Sequence, residues 1–199
     1  MFNFTISMLL KIRKSLLILS LVLIVNSTFS QNVIKTIDTS YLYDLPYEIG
    51  RRVFVSQGYN GPYSHSGEYA LDFKLRKGNS VLAAREGIVS RLEDNNTKGG
   101  PFKKYINKGN YIIIEHSDGT FAAYWHLSHK KVFVKKGEAV LKGQLIALSG
   151  NTGFSSSAHL HFDVYYIANK RKVTIPTKFQ TSKGVKLLRA FHKYSKPIN

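Results

Sequence analysis

At 199 residues the chain is long enough for one domain with a real core and too short for two large ones or a repeat array. With 43% hydrophobic and 21% charged residues it can offset the entropy of ordering, which excludes wholesale disorder; the absence of cysteine excludes disulfide frameworks, thiol nucleophiles and cysteine-held metal. The charge is lopsided, 29 Lys plus Arg against 12 Asp plus Glu, a net +17 that attracts polyanions without selecting one, and no helical stripe or motif for nucleic acid accompanies it.

A basic cluster, Lys11-Ile12-Arg13-Lys14, precedes an apolar run of eleven residues over 15–25. That run is shorter than the roughly twenty residues a membrane span needs. The small residues Thr28 and Ser30 then suit a signal peptidase, so residues 1–30 read as an export signal cut before Gln31. The expected product is secreted or periplasmic and keeps no stable membrane span; an uncleaved anchor is the other reading. Residues 31–50 form an extended lead-in, and a domain is expected over 51–168, with a basic C-terminal extension over 169–199 packed on it or trailing from it.

From Arg51 onward come short β-type runs punctuated by Gly, Asn, Asp and Lys: RVFVSQ, YALDF, SVLAA, GIVSRL, YIIIEH, FAAYWHL, AVLKG, LIALSG and HLHFDVYYI. Only Val185 to His192 hints at a helical period, so little helix is expected. Glu93 to Lys108, rich in Asn, Gly and Lys, reads as a long hairpin loop. Lys77-Gly78-Asn79-Ser80-Val81-Leu82 echoes Lys136-Gly137-Glu138-Ala139-Val140-Leu141, as two related turn-plus-strand units would.

The chemistry concentrates in the histidines. In a strand, His159-Leu160-His161 places both imidazoles on one face, with Asp163 beside them as a third member or an orienting group. Asp72 is carried by the apolar run YALDF, and a buried carboxylate needs a cation or donors. His65, seven residues earlier in a Gly- and Ser-rich turn, can fold back over it. His65, Asp72 and one histidine of the pair make a two-His, one-carboxylate set that suits tetrahedral zinc with one open position. The chain lacks His-Glu-x-x-His, so a base must come from the spare histidine or from His126 in Tyr-Trp-His-Leu. His116 reads as a turn or supporting residue. His129, placed in a Lys-rich turn, and His192 read as surface groups, and Ser155 to Ser157 as a flexible site loop.

In order along the chain, His65-Ser66-Gly67 leading to Asp72-Phe73, Tyr124-Trp125-His126-Leu127, Gly150-Asn151-Thr152-Gly153 and His159-Leu160-His161-Phe162 resemble the lysostaphin/LytM-type zinc metalloendopeptidases, which hydrolyse the peptide part of peptidoglycan. The resemblance covers roughly residues 50 to 168. It implies a mainly β, antiparallel, sandwich-like domain of the duplicated hybrid motif kind. It also implies Zn2+ on His65, Asp72 and His161, and catalytic assistance from His126 and His159, either of which can be the base. Peptidoglycan peptides are the implied substrate, with anionic cell-wall polymers held by the positive surface and no nucleic acid partner. The sequence departs from the family pattern in one place: position 69, four residues after the first histidine, is Tyr, and the aspartate comes at 72, leaving Glu68 as an alternative ligand. A substrate groove is expected between the 93–108 loop and the 150–158 loop. The competing readings are a non-catalytic LytM-type binding or activator module and a polyanion-binding module.

Overall fold

A computed structural model describes residues 41–198; the expected export signal and residues 31–40 of the lead-in lie outside them. The strands run in chain order as β1 (Leu42–Asp44), β2 (Val53–Gln57), β3 (Ala70–Phe73), β4 (Ser80–Leu82), β5 (Gly87–Glu93) and β6 (Gly99–Gly100). After a single 3-10 turn at Lys103–Tyr105 come β7 (Tyr111–Glu115), β8 (Phe121–Trp125), β9 (Leu127–Val132), β10 (Ala139–Val140), β11 (Leu145–Ser149) and β12 (Gly153–Phe154). The last are β13 (Leu160–Ala168), β14 (Arg171–Ile175), β15 (Lys178–Thr181), β16 (Gly184–Leu187) and β17 (Lys193–Tyr194). Each of the apolar runs recognised in the sequence contains a strand. Among the described residues there is no α-helix, and none long and apolar enough to cross a membrane. Val185 to His192 is not helical: it begins within β16, which pairs back on β15 after a turn at Gly184 with φ of +81°.

The main sheet has the order β10-β5-β7-β8-β13-β3-β2-β17, with β14 pairing the far half of β13. Its pairings are antiparallel, and alternation along the strands divides its two faces. Ile112, Ile114, Ala122, Tyr124, Phe162 and Val164 point into the principal core, where they meet Val81, Leu127, Ile146 and Ala147 from the small sheet β4-β11-β9. The opposite face carries a smaller cluster of Ile113, Ala123 and Tyr165. By the same alternation it also carries His161, Asp163 and Asp72. The segments flanking the expected domain add to the core: Tyr43, Tyr47 and Phe179 are buried, Phe179 lies 5.8 Å from the Phe162 ring, and β1 runs parallel to β15.

The echoed hexapeptides make equivalent turns. Gly78 and Gly137 have φ of +87° and +85°, a left-handed conformation that glycine adopts without strain, and each leads into a strand, β4 and β10. Two other expectations need correction. His129 is exposed but lies in β9, not a turn. The 93–108 segment is not a free hairpin loop: β6 within it pairs in parallel with β12, as Gly153 N donates to Lys98 O and Ser155 N to Gly100 O. Two residues of pairing carry no sequence period, which is why this tie cannot be read from residue pattern.

Candidate metal centre

Cross-strand register builds the centre. In the β13–β3 pair His161 stands directly opposite Asp72, and both side chains project from the face away from the main core. His65 approaches from the turn ahead of β3. Its Nδ1 donates to Gly58 O at 3.0 Å, which turns Nε2 toward Asp72 and fixes the tautomer. The three ligand atoms form a nearly equilateral triangle: His65 Nε2 to His161 Nδ1 is 3.1 Å, His65 Nε2 to Asp72 Oδ1 is 3.2 Å, and His161 Nδ1 to Asp72 Oδ1 is 3.1 Å. Tetrahedral zinc bound at about 2.0 Å spaces its ligand atoms about 3.3 Å apart, so the triangle has the size of one tetrahedral face. The nitrogen and carboxylate donors suit the same ion. Glu68 is not part of this cluster; the three extra residues are taken up in the turn closed by Glu68 N donating to His65 O.

Each of these side chains is itself held. His161 Nε2 lies 3.4 Å from Asp163 Oδ2, which also pairs with Lys172 Nζ at 2.9 Å. Asp72 Oδ2 accepts from Gln57 Nε2 at 3.0 Å. A one-residue bulge in β2 makes this contact: Val55 pairs with Phe73 but Gln57, not Ser56, pairs with Asp72. Burial alone would raise the Asp72 pKa, but hydrogen bonds from His161 and His65 and the charge near His161 and His159 hold it well below the usual carboxylate range. Burial likewise opposes charge on His161, yet its bonds to Asp163 and Asp72 push it up to about 9. The cluster is thus built around concentrated negative charge that a cation can replace protons in neutralising.

His126 and His159 stand beside the triangle, their rings 4.6 Å apart. His126 follows β8 with φ of +65°, and its Nδ1 donates to Thr152 O at 2.7 Å. His159 Nδ1 donates to Ser157 O at 2.8 Å, and its Nε2 lies 3.6 Å from Asp72 Oδ1. Burial, reinforced by neighbouring histidines, pulls His126 down to about 3; burial also lowers His159. Both are therefore neutral bases at pH 7, with Nδ1 committed and Nε2 available. They line a cavity of about 370 Å³ with Asp72 and His161. Its walls differ from the expected groove: the joined 93–108 and 150–158 loops contribute Pro101 and Phe154 to the same lining, and Gln57, Tyr63 and Ser64 stand with them. His116 lies elsewhere, its Nδ1 donating to Glu86 O and its ring 5.7 Å from that of Tyr43.

The model for peptidase family M23 matches residues 66–175, more than half of the chain. The chain belongs to peptidase family M23. Peptidoglycan DD-endopeptidase ShyA of Vibrio cholerae is 36% identical over 108 residues, 53% of this chain and 22% of ShyA. Murein hydrolase activator NlpD of Escherichia coli is 34% identical over 103 residues, 52% of this chain and 24% of NlpD. The chain therefore matches only about a quarter of the length of either relative. The M23 metalloprotease pseudoalterin from the deep sea superposes with a TM-score of 0.51 over 80% of this chain and 98% of its own, at 19% identity, and so shares the fold. Around this M23 domain the sequence did not point to Gln57, nor to the backbone carbonyls of Thr152 and Ser157 as the acceptors that hold His126 and His159. Gln57 left a trace, for it occupies the buried phase of RVFVSQ set by Val53 and Val55.

Proposed function

We propose that this chain is an exported zinc-dependent endopeptidase that cleaves peptide bonds of peptidoglycan, with His65, Asp72 and His161 holding the metal and His126 and His159 moving protons. The observation that carries the reading is the ligand triangle, 3.1 to 3.2 Å on a side, with two neutral imidazoles beside it. Zinc, when bound, supplies Lewis acidity for water attack on a peptide carbonyl. The chain's residues do the rest. Gln57 keeps Asp72 aimed and ionised, and Asp163, facing His161 Nε2, keeps that ring oriented with Nδ1 toward the metal site. Nε2 of His126 or His159 accepts the proton released by attacking water and returns it to the leaving amine, and the imidazolium formed in between offsets the negative charge developing on the oxyanion. The basic surface keeps the enzyme near anionic wall polymers.

Digestion of purified sacculi with product analysis tests this. The native protein should release peptide-cleaved fragments, and chelated protein should not until zinc is restored. His161→Ala should stay inactive with or without zinc. The match to NlpD gives the other outcome its meaning: a folded, zinc-loaded protein that leaves sacculi uncut is an activator or binding module, and the endopeptidase reading is then wrong.

A further inference from the structure

A larger groove, about 960 Å³, lies beside the candidate centre. It shares Ser56, Gln57 and Tyr63 with the histidine-lined cavity, so the two border one another at the residue that braces Asp72. One wall is the turn over 57–63. The other is the 185–194 segment, which lies beyond the end of the M23 match at residue 175.

The outer wall is firmly built. β17 pairs with β2, Val55 N donates to His192 O at 2.9 Å, and Phe191 N donates to Val55 O at 2.8 Å. Arg189 N donates to Tyr194 Oη at 3.0 Å. Gly58 admits the wall closely: a Cβ there would stand 3.0 Å from Ala190 N. The lining mixes apolar and cationic groups. Leu187 and Phe191 are 48% and 73% exposed, a large apolar surface to leave in water. Lys186 and Arg189 add positive charge, neither side chain has an ion pair or hydrogen bond among the described residues, and no Asp or Glu lines the groove. β16, which supplies Lys186, pairs only with β15 among the described strands, and an open edge offers backbone groups to an extended chain.

We propose that this groove binds an extended acidic peptide, with Lys186 and Arg189 holding its free carboxylates and its backbone running on into the metal centre. The inference rests on the endopeptidase reading and deepens it, assigning one arm of a crosslinked wall peptide to a wall that the family model does not include. A peptide fits better than an anionic polymer. The apolar residues have partners in peptide side chains, and the groove borders the cavity where a peptide bond would be cut. Arg189 can grip a carboxylate with two parallel bonds.

The experiment measures binding of a fluorescent wall-derived stem pentapeptide with free carboxylates, and of its amidated twin, to zinc-supplemented full-length protein. The wild type should bind the acidic peptide at least tenfold more tightly than the amidated one. Lys186→Glu/Arg189→Glu should erase that preference, whereas the charge control Lys103→Glu should keep it. Amide shifts induced by the peptide should fall at 57–63 and 185–192. Equal binding of the two peptides, an unaffected double variant, or displacement of the peptide by poly(glycerol phosphate) at far lower concentration overturns the proposal, the last in favour of a polymer site. Sacculus digestion is scored separately. Cleavage with no carboxylate preference refutes the groove alone; carboxylate-dependent binding without cleavage refutes the endopeptidase reading alone.

Discussion

Asp163 Oδ2 lies 3.4 Å from His161 Nε2 and 2.9 Å from Lys172 Nζ, so one buried carboxylate orients the imidazole that completes the ligand triangle. Asp163→Asn keeps the volume and removes the charge. Metal affinity, measured by chelator competition, should fall about 10- to 100-fold, while the circular dichroism spectrum is unchanged because partly exposed Lys172 can turn to water. A second residue-scale effect is remote from the metal. Burial lowers the His116 pKa from 6.5 to about 4, against its bond to Glu86 O. Between those values the unfolded chain binds the extra proton, so His116 contributes stability that is complete above pH 6.5 and is lost as pH falls toward 4, by up to about 3 kcal/mol. His116→Asn keeps a donor for Glu86 O without the titration. Urea denaturation of both proteins from pH 7 to 4 should show a flatter profile for the variant, and parallel profiles would refute the effect. The candidate cluster was legible in part: strand alternation puts 159, 161 and 163 in one phase and a carboxylate in YALDF demands a partner, whereas the choice of His161 over His159 came only with the family resemblance. The supporting groups were less so, since Thr152 and Ser157 act through backbone carbonyls that no side-chain pattern advertises.

At the scale of elements, the pairing of β6 with β12 decides the shape of the cleft. A Cβ on Gly99 would stand 2.0 Å from Asn151 O, a backbone atom that cannot step aside. Gly99→Ala should therefore part the two loops, cost about 1–3 kcal/mol in denaturant unfolding, and displace the Phe154 to Ser157 wall that holds His159. With a soluble peptide substrate, kcat/KM should fall by more than the stability change alone explains, because the folded fraction stays near one. An unchanged melting temperature would show that the loops are not tied as described. Strands with apolar runs were readable in the text, whereas β6, β12 and β17 were not: each is two residues long and exists only because a distant segment offers its edge. β16 hides for another reason, since all four of its residues are exposed and no buried phase marks it.

For the whole molecule, the segment after residue 175 sits outside the M23 match yet fills the core. Phe179 is fully buried against Tyr43, Phe73 and Phe162, with ring centroids at 6.4, 6.2 and 5.8 Å, and Leu188 is 2% exposed. Burying each such side chain contributes about 1.5–3 kcal/mol. Ending the chain at residue 176 would remove both, strip β1 of its only strand partner among the described residues, and leave the outer edge of β2 unpaired. The sum approaches the 5–15 kcal/mol by which whole domains are stable. The truncated protein should therefore be insoluble or lack a cooperative melt, while the full chain melts in one transition. Sequence suggested a basic extension packed on the domain or trailing from it because lysines dominate 169–199; two apolar side chains within that stretch, Phe179 and Leu188, decide its role. A truncated chain that folds cooperatively and binds zinc as the full chain does would make the tail an accessory, and the groove it walls would then be separable from the M23 domain.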